Sequence, residues 1–324
     1  MSKTDWSCPL LSLIPKGHAC LHEKPHVIFS FIQEHQNEYD VLMMCKLLGV
    51  SRGGYYKWRT QLVAANRTER QILREELLQK VAQSFHESYG TYGSPRICED
   101  LKAQGYSICE RTVGRYMKEL GLCALPVKQF VTTTDSNHHQ FIYPNLLERQ
   151  FNVDQPNTVW VTDITYIWTL EGWLYLASVM DLFSRKIVGW SLGVTMKTEL
   201  PLGALQEALL LRDPSGKPIH HSDRGSQYCS EEYIKCLNKG EFKISMSRKG
   251  DPYDNACIES FHATIKKELI YRHRFRTRED ARKAIGHYID NFYNSRRRHS
   301  TLGYLSPENY EKKYATLISE RLVS

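Results

Sequence analysis

Three carboxylates carry residue types and surroundings suited to one shared reaction. Asp163 stands in the strand-like run V-T-D-I-T-Y, and Asp223 directly follows a second apolar run in H-H-S-D-R-G-S-Q-Y. Glu259 opens a helical run in D-N-A-C-I-E-S-F-H, and 35 residues separate it from Asp223. Phosphodiester transfer must activate an attacking oxygen and neutralise charge on the leaving oxygen. Two Mg²⁺ ions about 4 Å apart do both in an in-line displacement. Mg²⁺, or Mn²⁺ as a substitute, prefers hard oxygen ligands and keeps water and substrate oxygens in its shell. Three carboxylates then suffice without a histidine or thiol ligand. A Ser or Cys nucleophile is not needed either, since water or a DNA 3′-OH attacks. Singly, each residue has a plainer reading: Asp163 as an edge-strand polar group, Asp223 as a turn residue before Arg224-Gly225, Glu259 as an acid favoured near a helix N-terminus.

The flanking elements are those of a mixed sheet. Runs 158–168, 173–183 and 185–194 are rich in β-branched and aromatic residues and joined by short turns. A helix over about 198–211, a strand 217–221, a helix near 231–238 and a strand 242–246 follow, then a long helix from about 255 to 271. Three meandering strands followed by alternating helix and strand imply α/β architecture with helices on the sheet faces. In the last helix Ile258, Phe261, Ile265 and Leu269 form one core-facing stripe. At 3.6 residues per turn, Glu259 and Lys266 lie nearly above one another beside it. Asp254 is placed to cap this helix, with Asn255 in its first turn facing the substrate. Gly250 and Pro252 suggest a loop over the site.

Upstream, two segments read as helix–turn–helix modules. In 27–60, Val27, Ile28, Phe31 and Ile32 form an apolar stripe, Leu42, Cys45 and Leu48 face inward, Gly49 allows a turn and Ser51 caps the next helix. In 66–123, a linking helix (Ile72, Leu73, Leu77, Val81) precedes a helix capped by Ser94, started by Pro95 and stopped at Gly105. The helix after it turns Val113, Tyr116, Met117 and Leu120 inward. That leaves Arg96, Arg111 and Arg115 polar and available to DNA, although plain helical bundles share the pattern. Residues 1–26 read as a loose segment, 124–153 as a linker, and 154–315 as the catalytic core.

Here the resemblance becomes specific. The core resembles retroviral-integrase-type domains, a ribonuclease H-like fold with an Asp, Asp, 35 residues, Glu pattern. The words W-x-x-D-I-T-Y, H-S-D-x-G-x-Q-Y and S-x-x-G-x-x-x-D-N-x-x-x-E-S-F resemble the IS3 family of insertion-sequence transposases. So do the opening LLGVSRGGYYKW and the closing YNSRRRHSTLGYLSPENY, and the likeness spans about 27–315. It implies metal-dependent cleavage and strand transfer on double-stranded DNA, both element ends and target, by an oligomer on the DNA. By position Lys266 contacts the terminal DNA. Such elements commonly encode a first reading frame with its own helix–turn–helix and coiled coil. No heptad pattern precedes residue 27, so the chain resembles the second frame alone, with the upstream product as fusion or partner. Recognition of element ends by this chain alone is then expected to be poor. A non-catalytic DNA-binding regulator is the alternative, disfavoured by the intact carboxylates. A ribonuclease H-type nuclease is disfavoured by the helical modules and basic C-terminus.

Charge supports a nucleic-acid partner. Lys266–Arg298 holds eleven Lys/Arg against four Asp/Glu, equal to the whole net charge of +7. Such a stripe suits phosphate neutralisation, and Arg296, Arg297 and Arg298 are expected to bind phosphate rather than read bases. No apolar run approaches the roughly 20 residues of a membrane span, and no secretory pattern opens the chain, so a cytoplasmic location is expected. Nine scattered cysteines without a C-x-x-C pair argue against a disulfide framework or zinc knuckle. Cys8, Cys20, His22 and His26 match no finger spacing.

Overall fold

The computed structural model describes residues 24–63, 69–124, 141–212, 214, 216–249 and 251–323. Residues 1–23, with Cys8, Cys20 and His22, lie outside them, as do 125–140 of the expected linker and Gly250. The chain divides into two units, Met1–Lys80 and Val81–Ser324.

In the first unit, α1 (Pro25–His35), α2 (Val41–Leu47) and α3 (Arg52–Val63) surround a small core of Ile28, Phe29, Ile32, Met44, Cys45 and Tyr55. Asp40 caps α2 by accepting from Met43 N. Gly49 turns with φ 69°, a region open to glycine at little cost, and Ser51 Oγ accepts from Gly54 N at 2.9 Å. The expected helix–turn–helix forms here, but its inward phase is rotated. Phe29 and Met44 fill the core, while Leu42 is exposed. Adjacent apolar residues in F-S-F and V-L-M-M offer two nearly equivalent stripes, and packing between helices chose one.

Helix α4 (Glu69–Glu87) spans the unit boundary and buries Leu77 and Val81, leaving Ile72 and Leu73 exposed. In the second unit, α5 (Ser94–Ala103) and α6 (Glu110–Glu119) pack on one another through Ile97, Cys98, Leu101, Val113, Tyr116 and Met117. Gly93, not Ser94, is the N-cap; the Ser94 hydroxyl instead donates to Glu110 at 3.3 Å. Leu120 falls at the C-cap of α6 and is exposed, since the helix ends one residue short of it.

Among the described residues the sheet has five strands in the order β3-β2-β1-β4-β5. They are β1 (Val159–Thr169), β2 (Gly172–Asp181), β3 (Ile187–Gly193), β4 (Ile219–Ser222) and β5 (Lys243–Met246). The first three form an antiparallel meander, and β4 and β5 run parallel to β1. This is the mixed sheet expected of a ribonuclease H-like core. Helix α7 (Glu199–Leu211) lies close against β3: a Cβ added at Gly189 would sit 2.2 Å from Ala204 O. Only glycine permits that approach. Helices α7 and α8 (Glu231–Lys239) share a core cluster with Trp160, Ala177, Val179 and Ile244.

The other helix against the strands is α9 (Ala256–Glu268), which packs on β1 and β2. It follows a 3₁₀ turn, Pro252–Asn255, and ends earlier than its pattern suggests. Leu269 leaves helical geometry and a second 3₁₀ turn buries Ile270 in its place. Helix α10 (Arg278–Gly286) continues into a π-helical stretch, His287–Tyr293, and α11 (Pro307–Val323) closes the chain. Residues 141–153, read from sequence as linker, are partly core: Ile142 and Tyr143 pack against the α7–α8 cluster. Polar spacing hid this, because the cluster they join is drawn from residues spread between Trp160 and Met246. Among the described residues no helix is long and apolar enough to cross a membrane.

Candidate active site

Strand register places two of the three carboxylates. Val161 of β1 pairs with His221 of β4, and the residue two further along each strand is Asp163 and Asp223 respectively. Neighbouring strands lie about 4.8 Å apart; Asp163 stands within β1, and Asp223 is the first residue past the end of β4. β4 stops at Ser222 while β1 runs on to Thr169, so Asp223 stands at the carboxyl end of β4, where ligands of open α/β sheets commonly bind. Asp223 Oδ1 accepts from Gly225 N at 2.9 Å, so the turn reading of this residue also holds and fixes its side chain. Behind the pair sits Tyr228, fully buried, with its hydroxyl 3.5 Å from Thr162 Oγ1. Burial first, then the negative fields of Asp163 and Asp223, push its ionisation far up.

Helix α9 brings the third carboxylate. Ile258, Phe261 and Ile265 bury one face, and Glu259 sits beside them in the first turn. Glu259 keeps solvent access, yet partial desolvation and then the charge of Asp163 raise its pKa above 4.5. Asp163 and Glu259 therefore share one electrostatic space.

Two contacts tie the helix start to β1. Asn255 Nδ2 donates to Thr162 O at 3.1 Å, and His262 Nδ1 lies 3.2 Å from Asp163 Oδ2. His262 Nε2 is 3.4 Å from Ser178 Oγ, and Ser178 is the β2 residue paired across the ladder with Asp163. With Nδ1 protonated, the ring donates to Asp163 and accepts from Ser178. His262 was not singled out from sequence; its position three residues after Glu259 was visible, but Ser178 lies 84 residues upstream.

Two expectations for the loop before α9 need correction. Asp254 does not cap the helix. It is buried and accepts from Arg248 N, Nε and Nη2 at 2.8–3.0 Å, from Arg149 Nε at 3.1 Å and from Asn145 Nδ2 at 2.9 Å. These donors, Arg248 foremost, hold its carboxyl well below the usual range. Asn255, expected to face substrate, is 4% exposed and bonded to the β1 backbone; its Oδ1 has no protein partner among the described residues. The 3₁₀ turn rotates both side chains inward, which a continuous α-helix would not.

The sequence relatives can now be placed against this geometry. The chain is 41% identical over 288 residues to the transposase InsF for insertion sequence IS3A of Escherichia coli (strain K12), covering 88% of this chain and 98% of the relative. It is 42% identical over 271 residues to an uncharacterized 31 kDa protein of insertion element IS600 from Shigella sonnei, covering 84% and 98%. The chain belongs to the IS3-family transposases. Family models for an integrase core domain match residues 153–252 and 241–307, and one for an HTH-like domain matches 73–130. Among solved structures, the HTLV-2 integrase catalytic core domain in complex with magnesium matches 48% of this chain and 96% of its own, at 19% identity and a TM-score of 0.37. As a transposase the chain acts in DNA transposition and integration, a polynucleotidyl transfer.

The basic residues of this transposase divide into two groups. Arg111 and Arg115 are exposed on α6, opposite Val113, Tyr116 and Met117. Arg296 is also exposed. Lys266 is half-buried, its ammonium 4.4 Å from the Tyr166 ring centroid, and desolvation lowers its pKa despite Asp163. Arg297 and Arg298, expected on phosphate, are engaged internally. Arg297 is 5% exposed and forks onto Glu268 with two 2.8 Å bonds. Arg298 pairs with Asp100 of α5 and donates to Tyr304 O at 2.9 Å. Arg298 thus joins the HTH-like module to the core through Asp100, while Arg297 ties its own segment to α9 within the core through Glu268.

Proposed function

We propose that Asp163, Asp223 and Glu259 are the catalytic carboxylates and hold two divalent ions, Mg²⁺ with Mn²⁺ as a substitute. The observation that supports this is the β1–β4 register, in which the paired residues Val161 and His221 each precede one of the aspartates by two positions, with Glu259 in the first turn of α9, the helix packed on β1. The donor set is all oxygen, as hard divalent ions prefer. Burial first, and then the charge of Asp163, raise the pKa of Glu259, and a bound cation would offset both. Among the described residues no three His, Cys, Asp or Glu side chains are gathered closely enough to hold a metal ion, so on this reading the ions and the DNA draw the three carboxylates together.

When bound, the ions would activate the attacking oxygen and offset charge on the leaving one. The chain's own residues position that chemistry: His262 and Ser178 orient Asp163, the Gly225 turn orients Asp223, and Asn255 anchors the start of α9 to β1. Lys266, Arg296, Arg111 and Arg115 supply cations to the phosphate backbone of double-stranded DNA at element ends and target. Assembly as an oligomer on DNA, with the product of an upstream reading frame as fusion or partner, completes this reading.

The test is joining of a duplex bearing the element's end. Asp163→Asn, Asp223→Asn and Glu259→Gln are each expected to abolish Mg²⁺-dependent cleavage and joining while retaining DNA binding. Full joining by any one of them overturns the assignment.

A further inference from the structure

An exposed aromatic groove lies next to the carboxylates and has no role in the chemistry above. Beyond Val161, β2 is the strand paired with β1 among the described residues, and Tyr166 and Trp168 in β1 and Leu170 just past it are exposed in alternation. Trp168 is 56% exposed and Trp173, its partner across the hairpin, 44%. Their rings meet edge to face with centroids 4.8 Å apart, and Tyr166 meets Trp173 in the same way at 5.3 Å. The opposite wall is the segment Ile270–Phe275, fixed to the hairpin by Leu170 N donating to Phe275 O at 3.1 Å. Arg278 adds bonds to Glu171 and to Trp173 O. The groove has a volume of about 410 Å³ and also takes in Lys266, His273 and Arg274. Its size falls within the roughly 300–1,000 Å³ of small-ligand sites.

Such a large apolar exposure calls for a partner, and its chemistry selects one. Flat ring faces interleaved with cations suit nucleobases on a charged backbone, because every base has a π-face and every nucleotide a phosphate. Lys266 connects the groove to the carboxylates: it stands over Tyr166 and feels the charge of Asp163. The Lys266 and Arg274 rim is cationic, and a DNA strand supplies the phosphates that neutralise it. We propose that this groove stacks unpaired bases of the DNA strand that passes Asp163, Asp223 and Glu259, and so favours frayed or single-stranded ends over blunt duplex. The proposal rests on the carboxylate reading of the site.

The probe is a labelled duplex with a short single-stranded overhang, compared with its blunt counterpart by fluorescence anisotropy on the full chain. The native chain is expected to prefer the overhang roughly tenfold, the scale of one stacked base. Trp168→Ala with Trp173→Ala should erase the preference and leave blunt binding intact, while the two Phe replacements retain it. 2-Aminopurine in the overhang should be quenched by the native chain and not by the Ala variant. An unchanged preference in the Ala variant overturns the proposal. So does loss of self-association there with the preference intact, which would make the face a contact between copies. Glu259→Gln separates the two readings: it should lose joining and keep the preference, and retained joining would sink the carboxylate assignment alone.

Discussion

His262 Nδ1 lies 3.2 Å from Asp163 Oδ2, and the same ring reaches Ser178 Oγ at 3.4 Å. One imidazole on α9 thereby holds both members of a cross-strand pair in β1 and β2. The contact uses one oxygen of a carboxylate proposed to hold an ion, so on that reading its loss should loosen ion binding before it harms the fold.

His262→Ala is expected to raise the Mg²⁺ or Mn²⁺ concentration needed for half-maximal joining by about 10–100-fold. His262→Asn, which can place an amide N–H near the Nδ1 position, should recover part of it. A merely structural role would lower stability and leave the metal requirement alone, so titrating metal at fixed DNA decides the matter.

Arg297 and Arg296 are neighbours with opposite expectations. Arg297→Ala leaves Glu268 poorly exposed without its fork, a loss of about 3–5 kcal/mol in unfolding free energy. Arg296→Ala should change stability by less than about 0.5 kcal/mol and reduce the salt slope of DNA binding by about 1. Denaturant melts and binding at several ionic strengths separate the two. Equal effects from both would contradict the division.

Gly189→Ala should destabilise the core by about 1–3 kcal/mol, since the new Cβ meets Ala204 O and Ala208 N and must push α7 from β3. The denaturation midpoint reports this. An unchanged midpoint would mean that the helix moves freely.

Asp181 is fully buried at the end of β2 and accepts from Asn157 N at 2.7 Å and Phe183 N at 3.0 Å. Burial outweighs these bonds and raises its pKa to about 6 from 3.8. The folded chain then holds this proton where the unfolded chain releases it. Its contribution is fully present below pH 3.8 and is lost as pH rises through about 6, a change of roughly 3 kcal/mol. Asp181→Asn should flatten the fall in stability between pH 4 and 6.5, measured by thermal melts against the native chain. A parallel pH profile for both would refute it.

Residue order alone determined the element sequence, the carboxylate spacing and the family. Strand alternation and helical stripes are local, repeat every two or 3.6 residues, and so can be read without knowing partners. The Asp163, Asp223, Glu259 set was legible for the same reason, each lying inside a recognisable local word. What the sequence left open was which polar side chains turn inward. Arg297 and Arg298 look like a surface basic run, yet Glu268 and Asp100, 29 and 198 residues away, draw them inside. Asp254 and Asn255 look like a helix cap, yet Arg149, Arg248 and Thr162 O claim them. Burying a charge or amide is tolerated only with a partner in hand. Those partners are distant in the chain, so only the tertiary structure could decide where each side chain went.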